Sequence, residues 1–103
     1  MKKVDIKKIR DMSNKRWSYR RVTLEIKNVG DEILCAKKKN ALRFRPHEEA
    51  GNIASQLTQN LANLLPDQSV IITLKIPNDV EKGSLRCGVV LEGVSWYDDR
   101  IIL

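Results

Sequence analysis

The fold prediction starts from residues 46–77, which read PHEEAGNIASQLTQNLANLLPDQSVIITLKIP. In the first part of this stretch, apolar residues recur at the three- and four-residue spacing of a single helical stripe. They are Ala50, Ile53, Ala54, Leu57, Leu61, Leu64 and Leu65. Pro46 suits the first turn of a helix, where its missing N–H costs nothing. The pattern predicts one main helix over about residues 46–65.

The second part of the stretch alternates apolar and polar residues, which is typical of a strand. The same alternation predicts strands over 17–27 and 85–91, and shorter strands between 33 and 45. Short connections predict that 17–27 pairs with the strand after it and that 69–76 pairs with 85–91. The predicted fold is therefore α+β, with an antiparallel four- or five-stranded sheet in ββαββ order and the helix on one face.

The chain of 103 residues is long enough for one domain with its own core. Residues 1–16 are predicted to be a basic N-terminal arm or a short helix, and residues 17–103 a single α+β domain. No apolar run approaches the length of a transmembrane helix or of a signal-peptide core, so a cytoplasmic location is expected. Cys35 and Cys87 are expected to be reduced thiols. One histidine and no paired C-x-x-C motif argue against a zinc site, and no cofactor is expected.

Charge is distributed unevenly along the chain. Residues 1–45 hold 15 Lys or Arg against 5 Asp or Glu, whereas residues 46–103 hold 4 against 8. A basic half of this kind indicates a surface for a polyanion or for an acidic protein. A solvated basic surface with no partner is the plainer alternative.

Residues 15–21, KRWSYRR, combine aromatic rings with cations. In a strand over 17–27, alternation places Val22, Leu24 and Ile26 on the core face and the rings of Trp17 and Tyr19 on the other. Rings among cations suit single-stranded nucleic acid, because bases stack on rings while Lys and Arg contact phosphates. The alternative is that Trp17 folds back onto the core.

The predicted function is that of a small, non-enzymatic nucleic-acid-binding protein, which binds single strands or binds without sequence specificity. The candidate binding residues are the aromatic and basic residues of the N-terminal half. They are Lys15, Arg16, Trp17, Tyr19, Arg20, Arg21, Lys37, Lys38, Lys39, Arg43 and Arg45. Five of these cations fall within nine residues, 37–45, just before the predicted helix.

Three alternatives stay open. The basic half can serve a protein-binding module, such as an inhibitor, adaptor or assembly subunit, that docks on an acidic partner. A small nuclease can use His47, Glu48 and Glu49 as an acid and base next to Arg43 and Arg45. Self-association into a homodimer is also expected. It would use the open face of the sheet or the apolar chain end, which comprises Ile101, Ile102 and Leu103.

Overall fold

The computed structural model describes residues 2–37, 39–47 and 53–103, and this part of the chain is mostly β structure. Its elements are β1 (Val4–Met12), β2 (Tyr19–Asn28), β3 (Leu42–Pro46), α1 (Ile53–Leu57), β4 (Gln59–Asn60), β5 (Ser69–Pro77), β6 (Arg86–Leu91) and β7 (Ser95–Ile102). The strands form two antiparallel sheets, one in the order β1-β2-β5 and the other in the order β4-β3-β6-β7. The fold is a β-sandwich.

The core lies between the two sheets, because each central strand turns one apolar face inward. Alternate residues of β2, namely Val22, Leu24 and Ile26, are fully buried, as the sequence pattern predicts. Phe44 of β3 and Val89 of β6 meet them from the second sheet. The polar residues between these positions form the two outer faces of the sandwich.

The predicted α+β fold with a main helix over residues 46–65 is wrong. The helix that the structure shows, α1, has five residues, and the chain then extends so that β4 pairs with β3. Leu64 forms a further bridge with Leu34. The Ser, Thr and Asn residues between the leucines favour non-helical backbone, since their side chains compete for its hydrogen bonds. The part of the predicted helix at residues 48–52 lies outside the described residues.

Two leucines of the predicted stripe are nevertheless buried. Leu57 and Leu64 reach the core from α1 and from the extended segment after it. The backbone of that segment is bonded to neighbouring parts of the chain, with Leu61 N donating to Leu42 O at 2.9 Å and Leu64 N to Leu34 O at 2.8 Å.

The prediction of a short helix within residues 1–16 is also wrong, because residues 4–12 form the strand β1. Val4 and Ile6 are buried, and β1 pairs antiparallel with β2 along most of its length. The predicted strand pairings fail in the same way. The second neighbour of β2 is β5, and β6 lies between β3 and β7. The pairs β2–β5 and β3–β6 join strands distant in sequence, which short connections do not predict.

The apolar chain end completes the second sheet. Ile101 and Ile102 belong to β7, and Leu103 is buried, with its N–H and its carbonyl both bonded to the backbone of Leu85. Ile102 stays exposed. Self-association through this segment stays a prediction, but it would have to use Ile102 and not Leu103.

Side chains bridge the gaps between the two sheets. At one side, the carboxylates of Asp98 and Asp99 in β7 accept hydrogen bonds from the backbone N–H groups of Lys3 and Ile6. At the other side, Gln59 Nε2 donates to the carbonyl of Thr73 in β5 at 2.9 Å. These bonds satisfy backbone groups of edge strands, which would otherwise be open to another chain.

No helix within residues 2–37, 39–47 and 53–103 is long and apolar enough to cross a membrane.

Cys35 and Cys87 are free thiols, and burial raises the pKa of Cys87 to about 12, so that thiol stays protonated.

Candidate nucleic-acid interface

Trp17 and Tyr19 form a stacked pair on the outer face of the first sheet. Their ring centroids are 5.6 Å apart and the planes differ by 11°. Both side chains are half-buried, and neither belongs to the hydrophobic core. The outward placement of Tyr19 follows from the alternation in β2, whose other face is apolar, and Trp17, just before β2, stacks on it. Trp17 is therefore a surface residue that leans on Tyr19, and the alternative of a core anchor does not hold.

Two cations lie over these rings. The guanidinium carbon of Arg21 is 5.1 Å from the Trp17 ring centroid, and Lys75 Nζ is 5.2 Å from the Tyr19 ring centroid. Arg21 of β2 and Lys75 of β5 are directly paired in the sheet, so both point to the same face. We call Trp17, Tyr19, Arg21 and Lys75 the aromatic platform.

The chain just before β2 is held so that Trp17 stays in place. Trp17 N donates to the carbonyl of Asn14 at 2.9 Å, and the side chain of Asn78 donates to the carbonyl of Trp17 at 2.7 Å. Asn78 N also donates to Ser18 O at 3.0 Å. Backbone bonds to two neighbouring segments thus fix the residue that carries the larger ring.

Further cations surround the platform. Lys15 and Arg16 are exposed in the turn between β1 and β2, and Arg10 of β1 shares the outer face, opposite Thr23. One acidic residue, Asp79, is exposed just beyond the end of β5 that carries Lys75. The opposite end of the same face is mixed. There, Asp5 pairs with Lys27 and Lys7 with Glu25.

Arg20, one of the predicted binding residues, does not reach this face. It points inward, is 4% exposed, and donates through Nη1 to Asp11 Oδ2 at 2.7 Å. Its Nε and Nη2 have no hydrogen-bond partner among the described residues. The same alternation that exposes Tyr19 and Arg21 turns Arg20 away.

Two of the predicted lysines, Lys37 and Lys39, lie at the other end of the molecule. Lys37 lines a cavity of about 180 Å³ together with Asn28, the last residue of β2. Because β2 has ten residues, this end is about 30 Å from Tyr19. Lys39 is exposed near Lys37. Lys38 lies outside the described residues.

Arg43 and Arg45 belong to the second sheet and face away from the platform. Arg43 Nε donates to Asn60 Oδ1 at 2.9 Å, and Arg45 Nε lies 2.5 Å from Glu92 Oε1. Arg45 also lies over the ring of Trp96, 4.6 Å from its centroid. The ten predicted residues that the structure describes therefore divide between two faces and both ends of the sandwich. One compact group lies at the platform and comprises Lys15, Arg16, Trp17, Tyr19 and Arg21.

Sequence reasoning left out Lys75 and Arg10 as binding residues. The outward position of Lys75 follows from the alternation in 69–77, but its place beside Arg21 depends on the β2–β5 pairing. Arg10 was hidden by the helical interpretation of residues 2–12. Trp96 was also left out, and its only sequence signal is that it is the second tryptophan of the chain.

The nuclease alternative, with His47, Glu48 and Glu49 as acid and base, stays a prediction. His47 is stacked on Trp96 with ring centroids 3.9 Å apart, and Glu48 and Glu49 lie outside the described residues. No cluster of His, Cys, Asp and Glu among the described residues is arranged to hold a metal ion. The pKa of Tyr97 is raised by burial and, to a smaller extent, by Cys35 and Glu32, which keeps its hydroxyl protonated.

Comparison with protein-family models, with curated proteins and with solved structures gave no match for this chain. Its function is therefore inferred from the geometry of the site.

Proposed function

We propose that this protein binds single-stranded nucleic acid without catalysing a reaction, and that it does so through the aromatic platform and the cations around it. The observation that carries the proposal is the Trp17–Tyr19 stack with Arg21 and Lys75 over its rings. Unpaired bases can stack on aromatic rings, and Lys and Arg side chains contact phosphates.

The two cations occupy the positions that a base would take, so binding requires an exchange. A cation over an exposed ring contributes roughly 0.5 to 1 kcal/mol. A base stacked on an aromatic side chain contributes roughly 1 to 3 kcal/mol, and the displaced cation gains a phosphate partner. The exchange therefore favours the bound state, and the unbound cations keep the rings ordered until a strand arrives.

The charge around the platform supports the same partner. Lys15 and Arg16 are exposed in the adjoining turn, and Arg10 lies on the same face. These cations are placed to contact the backbone on either side of a stacked base, and such contacts make binding depend on salt. The cytoplasmic location expected from the sequence is part of this proposal, and the two free thiols suit a reducing compartment.

The test is a titration of a labelled, mixed-sequence single strand followed by fluorescence anisotropy at physiological salt. We expect a Kd below about 100 μM, the weak end of non-specific binding, and a linear fall of log affinity with log salt. Trp17→Ala should weaken binding by about 1 to 3 kcal/mol per stacked base and leave the salt slope unchanged.

The control for Trp17→Ala is a denaturation curve that shows the variant to be folded. If the wild-type protein binds more weakly than about 100 μM, the nucleic-acid proposal fails. The basic face would then be assigned to an acidic protein partner, and binding of labelled polyglutamate would be measured next.

A further inference from the structure

The second tryptophan of the chain lies on the opposite outer face, also among arginines. Trp96 of β7 is paired with Val90 of β6, and Arg100 is paired with Gly88 one step along the sheet. The guanidinium carbons of Arg45 and Arg100 lie 4.6 and 5.6 Å from the Trp96 ring centroid. Cations and an aromatic ring are thus combined on this sheet, as they are on the first.

Sheet register places more positive charge around Trp96. Arg43 and Arg45 alternate outward on β3, and Arg86 at the start of β6 is paired with Ile102. Among the described residues, four arginines thus lie on this face, and the carboxylate of Glu92 is bonded to one of them, Arg45. Asp98 lines a shallow cavity beside Trp96. Arg86 and Arg100 are exposed, whereas Arg43 and Arg45 are half-buried.

Gly88 leaves room for the side chains that cross this part of the sheet. A Cβ on Gly88 would lie 3.2 Å from the Asp99 carbonyl oxygen and 3.3 Å from Arg100 Cδ, both tight contacts, and at an ordinary contact distance of 3.5 Å from the Trp96 ring. His47 stacks on the ring at 3.9 Å. Arg45 is fixed by Glu92, but the hydrogen bonds of Arg100, to the carbonyls of Tyr97 and Asp99, both use Nη1. Arg100 is therefore the cation that an incoming base can displace.

We infer that the face around Trp96 is a second binding surface for single-stranded nucleic acid, so that one molecule holds two strand segments on opposite sides of the sandwich. This inference rests on the proposed function of the aromatic platform. The two surfaces lie on different sheets with the core between them, so a short strand that fills one cannot contact the other. A protein of this kind brings two strands, or two parts of one strand, close together.

The two tryptophans allow each surface to be observed separately. Trp17→Phe leaves Trp96 as the only tryptophan, and Trp96→Phe leaves Trp17. Phenylalanine keeps an aromatic ring at each position, so both variants should fold, and a denaturation curve checks this. An unlabelled single strand of about six nucleotides, within the site size of small single-strand-binding domains, is titrated into each variant. We expect emission to be quenched in both variants, and wild-type protein to bind two strands per chain.

A pair of substitutions then assigns the second signal. Replacing Arg43 and Arg100 by Gln should lower the salt slope of Trp96 quenching by about 0.7 for each phosphate that is no longer neutralised, and should leave Trp17 quenching unchanged. In wild-type protein, a donor-labelled and an acceptor-labelled strand mixed at one of each per chain should show energy transfer.

The possible outcomes separate the two proposals. If Trp17 emission is quenched, one strand binds per chain and Trp96 emission does not change, the second surface does not exist and the platform stands. If neither tryptophan responds and no strand binds, both proposals are overturned. If Trp96 alone responds and one strand binds per chain, the platform is wrong, and the inference that one molecule holds two strands is overturned with it.

Discussion

Arg21 of β2 lies directly opposite Lys75 of β5, and each of these two cations lies over one ring of the Trp17–Tyr19 stack. Like charges directly opposite in a sheet are destabilising. The arrangement is explained if the pair serves a polyanionic ligand, because function then maintains a pairing that stability alone would not favour. Substitutions at this cross-strand pair can therefore separate its effect on stability from its effect on ligand binding.

Compared with Lys75→Gln, the variant Lys75→Glu should move stability and binding in opposite directions. Both variants lose the contact of Lys75 with the Tyr19 ring, but only the Glu carboxylate faces Arg21 with the opposite charge. The free energy of unfolding of Lys75→Glu should therefore exceed that of Lys75→Gln by roughly 0.2 to 1 kcal/mol in urea denaturation. Affinity for a single strand should fall further than in Lys75→Gln, because the substitution both removes a cation that neutralises phosphate and adds a repulsive charge. A Lys75→Glu protein that is less stable than Lys75→Gln, or binds as well as Lys75→Gln, would contradict the role given to this pair.

The position of charge should matter more than its amount. Replacing Lys15 and Arg16 by Gln removes two cations next to the platform, and replacing Lys37 and Lys39 by Gln removes two about 30 Å away. The first double variant should lower the salt slope for a short strand by about 0.7 for each phosphate that is no longer neutralised. The second should change affinity little. Equal effects would mean that binding responds to net charge alone, and no local site would be needed.

Asn28 is expected to be a major determinant of stability. It is fully buried, and its side-chain amide donates to the carbonyls of Glu32 and Leu64 and accepts from the N–H of Gly30. Because Asn28→Ala leaves these buried groups without partners, it should lower the free energy of unfolding by roughly 2 to 4 kcal/mol.

The matched control for Asn28 is the next residue. Val29→Ala changes an exposed side chain and should cost less than about 0.5 kcal/mol in the same urea melts. Similar losses in the two variants would show that Asn28 does not hold these loops together.

Three leucines distinguish the sandwich from the helix that the sequence predicts. In a helical stripe, Leu57, Leu61 and Leu65 would face one core, whereas in the structure Leu57 is 2% exposed, Leu61 is partly buried and Leu65 is 51% exposed. Leu57→Ala should cost roughly 2 to 5 kcal/mol, Leu61→Ala less, and Leu65→Ala under about 0.5 kcal/mol. Denaturant melts check the order. A large loss of stability for Leu65→Ala would favour the continuous stripe.

The parts of the fold that the sequence predicts are the local ones. Alternation alone places Val22 and Leu24 in the core and Tyr19 and Arg21 outside, because side chains on a strand alternate wherever it pairs. The helical interpretation failed because leucines spaced by three and four can also be buried by a short helix followed by an extended segment. Nothing in the spacing separates the two arrangements.

The site was predictable only in part for the same reason. Trp17, Tyr19 and Arg21 are close together in the sequence, so their grouping is visible there. Lys75 joins them through a pairing between strands about fifty residues apart, which local patterns do not encode. Lys37, Lys39 and Arg43 are close to each other in sequence, yet the two lysines lie at the far end of the molecule and Arg43 lies on the other sheet.

Strand binding at the aromatic platform can be tested most directly by a heteronuclear NMR titration of ¹⁵N-labelled protein with an unlabelled single strand. We expect the indole N–H of Trp17 and the backbone amides of Tyr19, Arg21 and Lys75 to shift as the strand is added, while the amides of Asn28 and Val29 at the far end do not. Shifts confined to the far end, or no shifts at a strand concentration of about 1 mM, well above ordinary non-specific dissociation constants, would contradict binding at the platform.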